Sequence, residues 1–185
     1  MHKTLSVATR LAAVAAVTLL GACAGMAPAP VFSQDSLPDT VKVPAGHRVV
    51  LETVGVGEIT YECRAKVGDA MAFEWAFVGP RADLNGRDGK KLGTYFGPPA
   101  TWASNDGSRI TGTQVAVAPA KPGSIPLQLV RANPATGNGA MTGVSFVQRV
   151  ATVGGVAPAL PCDAAGAGRK EVVKYQAEYI FWKPA

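Results

Sequence analysis

Residues 58–65 read Glu-Ile-Thr-Tyr-Glu-Cys-Arg-Ala, with Ile59, Tyr61, Cys63 and Ala65 on one side and Glu58, Thr60, Glu62 and Arg64 on the other. The same alternation returns in Glu171–Trp182, where Val173, Tyr175, Ala177, Tyr179 and Phe181 interleave with Lys174, Gln176 and Glu178. Successive side chains of a β-strand point to opposite faces, so strict period two specifies a sheet with one apolar face. Other segments rich in β-formers are Val41–Val43, His47–Val54, Met71–Val78, Lys91–Phe96, Thr101–Ala103, Arg109–Ala118, Ser124–Ala132 and Met141–Thr152. Gly, Pro, Asn and Asp clusters divide them: a corner is expected at Gly55-Val56-Gly57, a strand end at Pro80, and a hairpin turn at Asn105-Asp106-Gly107-Ser108. Nothing after residue 35 has the i, i+3, i+4 apolar spacing of a helix. The expectation is all-β: an antiparallel β-sandwich of about eight strands, with a small closed β-barrel as the alternative and no significant helix. Pairing of the first strand with the last would decide between them.

The chain ahead of this domain reads as an export signal. Lys3 and Arg10 supply a positive start, Leu11–Leu20 is apolar except for Thr18, and Leu20-Gly21-Ala22-Cys23 follows. The apolar run is short for a bilayer span and fits a cleaved signal. Leu-Gly-Ala-Cys resembles the bacterial lipoprotein box, which makes Cys23 the expected lipidated residue. The organisation read here is a lipoprotein signal over 1–22, an Ala/Pro-rich tether over 23–35, and one β domain over 36–185. With Cys23 lipidated, the three cysteines leave Cys63 and Cys162 as a natural disulfide pair in an oxidising envelope. Losing Lys3 and Arg10 with the signal lowers the formal net charge of +5 by two. The remaining charge forms no basic stripe with interleaved aromatics, which argues against nucleic acid as a partner.

Catalytic motifs are sparse. The one histidine beyond the signal, His47, stands at the head of a strand beside Pro44-Ala45-Gly46, an exposed position. No Gly-x-Ser-x-Gly elbow, phosphate loop or His-Glu-x-x-His occurs. One histidine and two paired cysteines leave no ligand set for a metal, and no cofactor is indicated. Glu58 and Glu62 share a strand face but lie about 13 Å apart, against about 5–9.5 Å for glycosidase carboxylates. Only pairing across to Glu52 or Glu74 would repair that. Asp83, Asp88, Asp106 and Asp163 fall in turns. The chain therefore leans away from an enzyme. For binding, Tyr95, Trp102, Asp106 and Ser108 cluster near turns, with Pro98-Pro99 and Phe96 beside them. Arg149 lies on the strand face opposite Val144, Phe146, Gln148 and Val150, and is expected to pair with a carboxylate.

Several blocks together resemble a known family. GVGEITYEC (55–63), Trp75–Pro80, LGTYFGPPATW (92–102) with NDGS (105–108), Ile125-Pro126, VQRVATVGGVAPALPC (147–162) and YQAEYIFW (175–182) are similar, in order, to the domain-of-unknown-function family numbered 3455. The resemblance runs from about Leu37 to Trp182. It implies an exported bacterial or fungal β-rich domain and assigns no activity. The family commonly has histidine where this chain has Tyr95, glutamate at Ala103, and tryptophan at Leu127. A His-centred site in the family would be lost here.

The combined reading is a lipid-anchored cell-envelope protein facing the periplasm or cell exterior, a non-catalytic binding or structural module. Its partners are the membrane, through the lipid, and an envelope glycan or protein. Two alternatives remain beside it: a hydrolase acting on envelope glycan, and a periplasmic lipoprotein resembling the lysozyme inhibitors. Net positive charge weighs against the second, because lysozymes are themselves basic.

Overall fold

A computed structural model describes residues 32–185; Cys23, the signal and most of the expected tether lie outside the described residues. Eight strands follow in order: β1 (His47–Lys66), β2 (Asp69–Asn85), β3 (Lys91–Phe96), β4 (Thr101–Ser104), β5 (Arg109–Ala118), β6 (Leu127–Ala132), β7 (Phe146–Gly154) and β8 (Lys170–Pro184). Two short 3-10 turns, Asp39–Val41 and Ala164–Gly166, are the helical elements among the described residues. Each strand pairs antiparallel with the next. β1 pairs with β8 from His47↔Pro184 to Glu62↔Lys170. First and last strands therefore meet, and the sheet closes on itself rather than splitting into the two layers of a sandwich.

Alternation fills the barrel. Ile59 and Tyr61 of β1, Ala82 and Leu84 of β2, Tyr95 of β3, Trp102 of β4, Ile110 of β5, Val130 of β6, Val147 of β7, and Tyr175, Ala177, Tyr179 and Phe181 of β8 form the inner core. Trp102, Tyr179 and Phe181 are among its largest fully buried side chains. Each such side chain contributes about 1.5–3 kcal/mol by leaving water.

Several boundaries differ from the sequence expectation for local reasons. Gly55-Val56-Gly57 is no corner: β1 runs straight through it. A Cβ at Gly55 would sit 2.5 Å from the Tyr179 ring, and one at Gly57 would strike the β2 backbone at Arg81 and Ala82. These glycines let a coiled strand approach its neighbours closely, a use of glycine common to small barrels. Pro80 does not end β2, because the β1–β2 register shifts between Thr60 and Tyr61, beside Pro80. A proline is tolerated where the ladder is already interrupted. Val41–Val43 forms a 3-10 turn and an extended exit instead of a strand.

A second apolar layer lies outside the barrel. Leu129, Phe146, Val150, Ile180 and Trp182 face outward from β6, β7 and β8, and are buried with Val41 and Val43; Phe32 and Leu37 pack against the same cluster. Phe146 and Val150 thus serve this outer layer, whereas Val147 turns into the barrel. The segment 32–43 is a strap across the outer wall. Gln148, fully buried, stitches it down: its Nε2 donates to the Val41 carbonyl at 2.7 Å and to Gln34 Oε1 at 3.1 Å, while its Oε1 accepts from Trp182 Nε1 at 2.9 Å. Gln34 in turn bonds both the N–H and the carbonyl of Val43. Residues 32–35, expected as tether, belong to this packed strap.

Candidate functional site

The turns of an up-and-down barrel sort to its two ends. One end carries the β2–β3, β4–β5 and β6–β7 connections; the other carries β1–β2, β3–β4, β5–β6 and β7–β8. The first end is closed. Met141 and Val144 of the β6–β7 connection, 1% and 5% exposed, enter the inner core. The β4–β5 turn holds that connection in place. Asp106 Oδ1 accepts from the Ser108 N–H at 2.9 Å and hydroxyl at 2.6 Å, and Oδ2 accepts from the Ala140 N–H at 2.8 Å. Ser108 Oγ also accepts from the Met141 N–H at 3.1 Å. The Ser108 hydroxyl and the Ala140 and Ser108 N–H groups hold the Asp106 carboxyl well below the usual carboxylate range. Asp106 and Ser108 are a clasp between two connections.

Tyr95 and Trp102 belong to the core. Trp102 is 1% exposed, stacks on Tyr95 with centroids 4.9 Å apart, and meets Tyr179 edge-on at 6.0 Å. Its Nε1 is buried with no acceptor among the described residues. The four residues expected to bind at one site are therefore divided between the barrel interior and the closing clasp. The family departures divide too: Tyr95 faces inward and Leu127 packs in the outer layer.

The opposite end is open. A cavity of about 310 Å³ is lined by Phe77 and Pro80 of β2, Tyr95, Gly97, Pro98 and Ala100 around the β3–β4 turn, Gly112 and Gln114 of β5, Gln128 and Val130 of β6, and Arg149 of β7. Gly112 must be small, since a Cβ there would meet Val130 Cγ1. Arg149 stands in register with Gln128 on one side and Tyr179 on the other, on the same inward face as Val147. Its Nε and Nη2 donate to the Pro126 carbonyl at 3.2 and 3.0 Å. Among the described residues no carboxylate lies within ion-pair distance, and the expected salt bridge is replaced by a carbonyl contact. Burial pushes the phenols of Tyr61, Tyr95 and Tyr179 up, and that of Tyr175 to about 12; the Arg149 charge partly opposes each shift. Those phenols are neutral at pH 7 and leave the guanidinium unbalanced.

The carboxylates sit elsewhere. Glu52 and Glu178 share Arg87 at 2.7 and 2.9 Å, Glu58 pairs with Lys174 at 2.9 Å, and Glu62 pairs with Arg64 at 2.8 Å. Glu58 and Glu62 belong to the strand face opposite Ile59 and Tyr61, away from the cavity. His47 Nδ1 lies 2.9 Å from the Pro44 carbonyl, and the ring packs edge-on against Phe146 in the outer layer. Cys63 and Cys162 form the expected disulfide, with Cα atoms 5.5 Å apart. It anchors the β7–β8 connection, residues 155–169, beside the open end. Trp75 Nε1 donates to the Leu160 carbonyl at 2.8 Å, and Arg169 lies over the Trp75 ring at 5.0 Å.

Of the expected binding residues Tyr95 lines the cavity, whereas sequence reasoning missed Gln114 and Gln128. Arg149 carried the usable signal, a lone cation alternating with core residues.

With this geometry in place, the chain can be compared with known proteins. The family model described as Protein of unknown function (DUF3455) matches residues 44–183, and the chain belongs to that family. No curated protein and no solved structure matches it.

Proposed function

We propose that this member of the DUF3455 family is a lipid-anchored cell-envelope module that takes a small molecule into the mouth of its barrel. One observation supports the binding role above the others: the inward face of an otherwise filled barrel leaves about 310 Å³ open at one end, while the other end is plugged by Met141. Small-molecule sites are concave, mostly apolar, and carry a few placed polar groups, and barrel mouths are a recurrent location for them. Here Phe77, Pro98 and Val130 supply apolar wall and Gln114, Gln128 and Arg149 supply polar groups. The anchor rests on Leu20-Gly21-Ala22-Cys23.

Both parts are tested on the full chain. Labelled palmitate should enter wild type and not Cys23→Ser; label in the variant removes the anchor from the proposal. The isotope-labelled protein, in detergent micelles, is then titrated with benzoate and with benzamide and followed by amide correlation spectra. Saturable shifts confined to the mouth residues, with at least one probe, are expected. No shift there with either probe at millimolar concentration overturns the binding role.

A further inference from the structure

Taking the mouth as a binding site, the charge on its wall narrows what it binds. Arg149 is partly buried among Tyr95, Tyr179 and Val130, and no carboxylate among the described residues lies within ion-pair distance of it. A guanidinium in such surroundings is costly unless paired. The nearby phenols do not pair with it, since burial keeps them protonated. The Pro126 carbonyl takes only two of the five N–H donors, through Nε and one N–H of Nη2. That contact fixes the plane of the fork and leaves three donors. Nothing on the described chain uses them.

The neighbouring polar groups extend the same surface. Gln128 stands in register with Arg149 and donates from Nε2 to Gln114 Oε1 at 2.6 Å. This orients the pair, leaving the Gln114 amide N–H groups and the second N–H of Gln128 as donors. The polar groups of the cavity thus offer donors around one positive charge, beside apolar groups supplied by Phe77, Pro98 and Val130.

We propose that the mouth binds a small organic carboxylate, with its carboxylate on the free edge of Arg149 and its apolar body against Phe77, Pro98 and Val130. A planar guanidinium edge matches a carboxylate with paired hydrogen bonds. A single cation balances a single negative charge; a phosphate dianion would leave one charge uncompensated in the same half-apolar space. The cavity of about 310 Å³ leaves room for a body about the size of one ring.

The experiment rests on comparing probes on one protein, so it does not depend on a variant folding. Benzoate, benzamide and inorganic phosphate are titrated into the full chain, and affinities are read from the mouth amides and the Arg149 Nε–H signal. Benzoate should bind about tenfold or more tightly than its neutral isostere benzamide, as expected for hydrogen bonds to a charged group, and more tightly than phosphate. Arg149→Gln should abolish that preference, and Arg149→Lys should retain part of it. Equal affinity for benzoate and benzamide overturns the carboxylate assignment and leaves the mouth as a neutral site. Tighter binding of phosphate, or an undiminished benzoate preference in Arg149→Gln, also overturns it. Silence with both aromatic probes overturns the carboxylate assignment together with the binding role on which it rests.

Discussion

At the scale of single residues, the closed end depends on Asp106. Its ionised carboxylate accepts from the Ser108 hydroxyl and from the N–H groups of Ser108 and Ala140, so the fold binds the charged form better than the unfolded chain does. A carboxyl whose folded pKa is lowered contributes its stability above the unfolded value, near 4, and loses it as pH falls through the lower folded value. The Ser108 and Ala140 amides should therefore stay protected from hydrogen exchange at a pH of about 4, where an ordinary carboxylate is half titrated. Asp106→Asn should lower that protection at every pH, because its one carbonyl oxygen cannot accept from Ser108 and from Ala140 N–H together. Protection unchanged in the variant would show that the clasp does not hold the loop. Asp106 also shows what one sequence can reveal about a site. Asn105-Asp106-Gly107-Ser108 is legible as a turn, but its reach to Ala140 is a contact 34 positions away, and no local pattern encodes that. Trp102 and Tyr95 looked available because they flank turns; closure of the sheet buries Trp102 and turns Tyr95 inward, where it lines the mouth.

At the scale of elements, alternation proved a reliable guide to which residues share a face and a poorer one to where strands end. β3 and β5 begin and end where the sequence places them. Glycine and proline misled in β1 and β2, since both residues also serve close approach and bulges within strands. The face shared by Phe146 and Val150 was legible, but Val144, expected with them, lies ahead of β7 and enters the inner core, and the destination of the other two was not legible because the strap gives this sheet a second covered side. Gln148 makes the difference measurable. It sits on an apolar face with no exposure, and its amide serves Val41, Gln34 and Trp182 at once. Replacing it with leucine preserves volume and strands those partners. Buried groups left without a partner cost about 1–3 kcal/mol each. Gln148→Leu should therefore lower unfolding free energy by about 2 kcal/mol or more in denaturant titration, despite greater hydrophobicity. A variant as stable as wild type would mean that the strap does not depend on this network.

For the whole molecule, eight antiparallel strands and the disulfide were legible from periodicity and cysteine count, and closure was the open alternative that β1–β8 pairing resolves. Cys63 and Cys162 are 99 positions apart, so the bond removes much freedom from the unfolded chain, worth about 4–5 kcal/mol in the entropic model. It ties one connection to one strand of a barrel that is otherwise continuous. The Cys63→Ala/Cys162→Ala double variant should keep its β-sheet circular dichroism while unfolding about 2–4 kcal/mol sooner. Loss of the sheet signal at room temperature would show the bond to be a condition of folding rather than an addition to it. The strap has a mechanical consequence. Tension entering the chain ahead of Phe32 is carried first by the Phe32–Trp182 contact, by the Phe32 N–H bond to the Glu52 side chain, and by the bonds of Gln34 to Val43 and to Gln148, before it reaches the β1 backbone ladder. β1 is then gripped along both edges by β2 and β8. A domain held by its N-terminal side would thus yield in two stages, surrendering a short outer segment as slack before any load reached the barrel that holds the cavity.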